Sequence, residues 1–275
     1  MFSKRLISSI VLVILAFVVI LPGSYLLGAT LFIISCIAFK ELLNVFIEDA
    51  EQKQKQSVTW IGTIGIGIYY FMMMFQVEPT WLLFAIVMTF LALMSAYVLT
   101  FPKLKGTEVV SAFFSFFYAP VLLSFIYMTR NMKFGIYIVW MIFISSWICD
   151  TCAYLSGMLL GKHKLAPILS PKKSIEGAIG GVLGSALVGA IFGYFVEPVI
   201  GYSGIWMMFP VIGACGAVVS QIGDLAASAI KRNYNIKDYG RIIPGHGGIM
   251  DRFDSVIFAA PMIYFLAELF MKQAG

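Results

Sequence analysis
Apolar residues run in blocks of about 20 along almost the whole chain, separated by short stretches where charge and glycine gather. About 20 residues is what a helix needs to cross roughly 30 Å of hydrocarbon, and only a helix or a closed barrel satisfies its backbone there. The blocks predict nine spans, over residues 6–21, 24–46, 58–76, 80–101, 109–128, 134–159, 175–199, 203–230 and 253–271. The polar stretch 48–57 between the second and third reads as a solvated connector. The expected fold class is an all-α polytopic membrane protein. Composition agrees, since the chain is 60% hydrophobic and 12% charged, against about 25% charged in a soluble domain. No separate soluble domain fits between the spans.

The net charge of +5 matters less than where it falls. With Lys4 and Arg5 on the cytoplasmic side, the stretches carrying Lys53 and Lys55, Lys103 and Lys105, Lys162 through Lys173, and Lys231 through Arg252 lie there too, and Lys40 is close to that side. Only Arg130, Lys133 and Lys272 fall opposite. The positive-inside rule then puts the N-terminus in the cytoplasm and, with an odd number of spans, the C-terminus outside. An even count would bring Lys272 to the cytoplasmic side. The expected location is the inner, cytoplasmic membrane of a cell. The first apolar run resembles a signal peptide, but its exit at Leu21-Pro22-Gly23-Ser24 lacks a small-x-small cleavage pattern, so a retained span is expected. The four cysteines sit inside apolar spans, as small hydrophobes do.

Polar residues inside or at the mouths of the spans cluster after residue 130. That divides the chain into an expected N-terminal scaffold, 1–130, and a catalytic half, 131–275, with its site on the cytoplasmic side. In span eight, Ser220, Asp224, Ser228 and the Lys231-Arg232 pair recur at helical spacing and form one polar stripe. Asp224 lies about 10 Å inward of Lys231, at 1.5 Å per residue. A lone carboxylate at that depth costs ~2.5–3.5 kcal/mol, which implies a cavity, a cation or both. In span six, Ser146, Asp150 and Tyr154 recur every four residues. Span seven carries Gly177/Gly181, Gly180/Gly184 and Gly189/Gly193, a face bare enough for close helix packing, either inside the monomer or as the seam of a homodimer.

The densest charge lies in residues 228–254, SAIKRNYNIKDYGRIIPGHGGIMDRFD. Gly245, Gly247 and Gly248 beside His246, with Arg252 and two acids, suit a phosphate: glycines let backbone N–H groups approach, cations neutralise, and carboxylates hold a bridging metal. Asp251 or Asp254 could cap span nine. Asp224 and Asp251 together can supply oxygen ligands to Mg²⁺. Ser170-Pro171-Lys172-Lys173-Ser174 reads as the start of span seven, where two lysines at the positive end of a helix dipole need a compensating anion such as a triphosphate.

Residues 228–254 resemble the phosphatidate cytidylyltransferase (CDP-diacylglycerol synthase) family. That family's pattern is S-x-x-K-R, four residues, K-D, a small residue, then P-x-H-G-G-x-x-D-R-x-D. It is met by Ser228, Lys231, Arg232, Lys237, Asp238, Gly240, Pro244, His246, Gly247, Gly248, Asp251, Arg252 and Asp254. The resemblance extends to Gln221-x-Gly223-Asp224, to Asp150 through Gly157 and to Gly161-Lys-His-Lys with Ser170-Pro-Lys-Lys; Ser174 stands where Thr is frequent. Residues 1–130 share only hydropathy with the family.

The resemblance implies a nucleotidyltransferase that converts CTP and phosphatidic acid to CDP-diacylglycerol and pyrophosphate. It implies Mg²⁺ on Asp224 and Asp251, with Asp254 orienting Arg252 or a second cation. Lys172 and Lys173 are expected on the triphosphate, and Lys231, Arg232 and Arg252 on pyrophosphate or the lipid phosphate. His246 is expected to donate a hydrogen bond to a phosphoryl oxygen. Ser170, Ser174, Lys237, Asp238, Arg241, Gly247, Gly248, Asp150 and Tyr154 complete the expected substrate contacts. The partners implied are the two substrates and the bilayer, and nucleic acid is not among them. The rival readings are a CTP-dependent polyprenol or lipid-alcohol kinase, and a transporter using Asp150 and Asp224 as an ion path.

Overall fold
The computed structural model describes residues 13–47, 51–201, 203–242 and 247–273. Eight of its helices are long and apolar enough to cross a membrane. We label them α1 (Ser24–Phe46), α2 (Gln52–Met74), α3 (Pro79–Thr100), α4 (Gly106–Arg130), α5 (Gly135–Leu160), α6 (Ile175–Ile200), α7 (Ile205–Asn233) and α8 (Met250–Gln273). They correspond to the second through ninth expected spans. Of the first, residues 13–20 are helical, Leu21 lies in the turn that follows, and 6–12 lie outside the described residues. The chain is a multi-pass membrane protein, nearly all helix.

Two local expectations are corrected. The polar stretch after residue 51 is not a connector, because α2 already begins at Gln52; Gln and Lys are good helix formers, and the helix runs on beyond its apolar part. Ser170–Ser174 is a strand, β2, paired antiparallel with β1 (Lys164–Ala166). Proline at 171 pushes Ser170 into extended backbone, so the helix starts only after Ser174, whose hydroxyl accepts from Gly177 N at 3.1 Å.

The chain groups into two compact units, one of residues 1–124 with 238–251, the other of residues 125–237 with 252–275. The glycine-rich segment 238–251 thus belongs with the N-terminal helices. In the first unit, buried hydroxyls tie α1, α2 and α4 together. Tyr70 donates to Pro120 O at 3.1 Å and pairs with Ser35 at 2.7 Å, and Tyr69 pairs with Ser124 at 2.9 Å. Proline at 120 lies in a π-helical stretch, Phe117–Val121, and the Tyr70 hydroxyl supplies polar company to backbone that hydrocarbon could not.

In the second unit, α6 packs its glycine stripe on its neighbours. Gly177, Gly181, Ser185, Gly189 and Gly193 are all buried. A β-carbon at Gly181 would lie 2.9 Å from Cys149 O of α5, and one at Gly189 2.9 Å from Phe209 O of α7. The stripe is consumed inside the unit and carries no argument for a second copy. Helix α5 contains a π-helical stretch at Ile144–Ile148, whose carbonyls are taken up by hydroxyls from both neighbours. Ser185 donates to Ile144 O at 3.1 Å, and Ser220 to Ser145 O at 2.8 Å. Gly181→Val should lower stability in detergent by about 1–3 kcal/mol through overpacking, read as a fall in thermal midpoint; an unchanged midpoint would mean the α5–α6 contact can relax.

Candidate active site
A cavity of about 550 Å³ in the second unit is lined by residues of α5, the hairpin, α6 and α7. Seven of the expected site residues meet there: Asp150, Tyr154, Ser170, Lys172, Lys173, Ser174 and Asp224. Strand β2 presents the lysines from its own pleat rather than from a helix end. Glu176, in the first turn of α6, anchors the hairpin's entry: it accepts from Lys162 N at 3.1 Å and from His163 N at 3.2 Å, and pairs with His163 Nδ1 at 2.6 Å.

The electrostatics centre on Asp224. Lys173 forms an ion pair with it, and both side chains are about a quarter exposed (27% and 26%), open enough for a ligand to compete. Asp224 also acts electrostatically on Asp150 and on Asp254; Lys173 offsets the first and Lys231 the second. Three carboxylates and two ammonium groups therefore share one neighbourhood from four elements. Hard carboxylate oxygens fit Mg²⁺, which is held by one or two carboxylates plus substrate phosphates rather than by an all-protein cage. Among the described residues no three acidic, His or Cys side chains gather tightly enough to hold an ion alone.

The polar stripes are split by the packing. Ser146 is buried and donates to Ile142 O at 2.8 Å, within its own helix. Ser220 likewise faces Ser145 and not the cavity. Of that stripe, Asp150 and Tyr154 line the cavity and Ser146 does not. Gln221 is a lining residue to which no role was attached: its Nε2 donates to Ala178 O at 3.1 Å and to Cys149 Sγ at 3.3 Å, pinning α7 to α6 and α5 beside Asp224.

Lys231 and Arg232 occupy the last turn of α7, and Arg252 and Asp254 the first turns of α8, with Asp254 Oδ1 accepting from Ser255 N at 2.8 Å. Lys237 is exposed at the end of the second unit's stretch 125–237; in the first unit, Asp238 and Arg241 are exposed. Gly247 has φ +84°, a left-handed conformation that glycine adopts freely. Asp251 is buried (9% exposed), and its Oδ2 accepts from Tyr239 N at 2.8 Å and from Gly248 N at 3.0 Å. His246 lies outside the described residues. Glu41, in α1, was missed altogether. It accepts from Ile249 N at 3.1 Å and Met250 N at 2.8 Å, and the available signal was a lone acid near the end of an apolar span.

A cavity at a bundle of membrane-crossing helices that sets lysines against carboxylates is suited to a phosphate-bearing ligand. The family model for the cytidylyltransferases matches residues 3–270, and the chain belongs to that family. It is 33% identical over 265 residues to a phosphatidate cytidylyltransferase of Staphylococcus epidermidis, which covers 95% of this chain and 97% of that one. Proteins of the same name from Staphylococcus saprophyticus and Staphylococcus aureus are each 34% identical, over 267 and 268 residues, again covering 95% of this chain and 97% of theirs.

Proposed function
We propose that this chain is a phosphatidate cytidylyltransferase: it transfers the cytidylyl group of CTP to phosphatidic acid, forming CDP-diacylglycerol and releasing pyrophosphate. The observation that carries this reading is the meeting of Lys172, Lys173, Asp150 and Asp224 around one cavity in a chain of this family. A phosphate oxygen of the lipid attacks the α-phosphorus of CTP, the bond from that phosphorus to the bridging oxygen breaks, and pyrophosphate leaves with the electron pair. The second pKa of a phosphomonoester is near 6, so the nucleophile is already ionised at pH 7 and needs no base. The obstacle is repulsion between two anions, and the catalytic task is positioning and charge neutralisation.

The chain's own groups divide that task. Lys172 and Lys173 bind the triphosphate from β2. Tyr154, Ser170 and Ser174 donate to phosphate oxygens from the cavity wall. Lys231, Arg232 and Arg252 are cations for pyrophosphate or the lipid phosphate. A divalent ion, Mg²⁺, would be held by Asp224 with one neighbouring carboxylate, Asp150 or Asp254, and by the substrate's own phosphates, and would supply charge neutralisation at phosphate oxygens. Asp251 is assigned to holding the loop through its two backbone bonds instead of to the ion. The N-terminus is taken as cytoplasmic and the membrane as the cell membrane, where soluble CTP and a lipid substrate both reach the site.

The test is label transfer by the purified protein in detergent with Mg²⁺ and phosphatidic acid. Label from the α-phosphate of CTP should move into lipid, and chelation with EDTA should stop it. Transfer of γ-label instead would mark a lipid-alcohol kinase and overturn the reading.

A further inference from the structure
The N-terminal helices do more than scaffold. Helix α8 starts without a local capping side chain, because Gly248 and Ile249 precede Met250. The first N–H groups of a helix need acceptors, and a carboxylate there also meets the positive end of the dipole. Glu41, about two hundred residues away in sequence and only 7% exposed, supplies it: Oε1 accepts from Ile249 N at 3.1 Å and Oε2 from Met250 N at 2.8 Å. Asp251 reaches back to Tyr239 N and Gly248 N. Two buried carboxylates thus take four backbone donors, at both ends of the segment 239–250.

The glycines of that segment fit the same carboxylate. A β-carbon on Gly240 would collide with Glu41, and on Gly248 the three nearest atoms would all be Glu41 carboxylate atoms. Close approach of an acid from α1 explains why these two positions carry no side chain, a reason separate from phosphate contact.

We propose that Glu41 is a positioning residue for nucleotidyl transfer: it docks the start of α8 beside Gly240 and Gly248, and so fixes the first turns of that helix, which carry Arg252 and Asp254. This rests on the cytidylyltransferase reading above. Glutamine at 41 keeps the size but replaces one acceptor with a donor facing Met250 N, so one of the two bonds is lost and the charge disappears.

The experiment compares wild type with Glu41→Gln and, should that variant fail to fold, Glu41→Asp, which keeps the charge and withdraws it by one methylene. Both are purified in detergent, matched for folded protein by thermal melting, and assayed for α-label transfer and for tryptic cleavage after Arg241. KM for CTP or for phosphatidic acid should rise at least fivefold, and cleavage after Arg241 should accelerate at least fivefold. A loss of folded enzyme alone would lower the rate and leave both KM values in place. Unchanged KM values with unchanged cleavage overturn the proposal. Failure of wild type to transfer label defeats the cytidylyltransferase reading instead, and the cleavage arm still decides whether Glu41 docks the segment. As a coupling check, Gly248→Ala should slow turnover in wild type yet add little to Glu41→Ala, because the atoms it strikes are gone; full additivity would count against the contact.

Discussion
Asp224→Asn is expected to reduce label transfer by at least about 10²–10³-fold, the range seen when one preorganised electrostatic group is removed from an active site. The substitution keeps the shape of the side chain and lightens the charge that α7 carries into the membrane, so insertion and thermal midpoint should stay close to wild type. What is lost is specific: Lys173 loses its partner, and the group of Asp150, Asp224 and Asp254 loses its central member. If the ion is held there, raising Mg²⁺ should recover little. Turnover within tenfold of wild type, at equal protein in the membrane, would remove Asp224 from the reaction.

Lys173→Met is expected to lower kcat/KM for CTP by about 10²-fold, and Lys172→Met by about tenfold. Both lysines line the cavity, and a contrast of charge alone would predict equal losses. The difference comes from their surroundings. Lys172 is exposed on the strand, where solvent weakens its field. Lys173 is half-buried, ion-paired with Asp224, and offsets the repulsion felt by Asp150. Removing it takes a cation from the triphosphate and leaves neighbouring carboxylates repelling one another. Steady-state kinetics of the two variants decide the matter, and an equal or larger loss at Lys172 would overturn the assignment.

That Asp224 and Lys173 each need a partner was legible in the chain because the cost is legible. A carboxylate deep in an apolar run, and two adjacent lysines between membrane spans, each need compensation, and in the structure Lys173 pairs with Asp224. The strand that carries the lysines was not legible. Ser-Pro-Lys-Lys-Ser ahead of an apolar run reads equally as a helix start, and only pairing with Lys164–Ala166 makes it extended. Nor does the four-residue spacing of Ser146 and Asp150 say which of them reaches the cavity: Asp150 lines it, and Ser146 is buried one turn away, bonded within its own helix. Glu41 was visible as an oddity but without a partner, since nothing in the surrounding residues points to Ile249 and Met250.

By itself, the order of residues determined that the chain crosses a membrane repeatedly, where most of its helices lie to within a few residues, and which charged groups need a compensating partner. Hydrocarbon forces this, because it accepts only backbone bonded within its own segment and taxes every buried charge. The tertiary structure alone decided which polar groups share a space. That depends on helix rotation, on the close approach that bare glycine faces permit, and on contacts between residues far apart in the chain, none of which leaves a mark in local spacing.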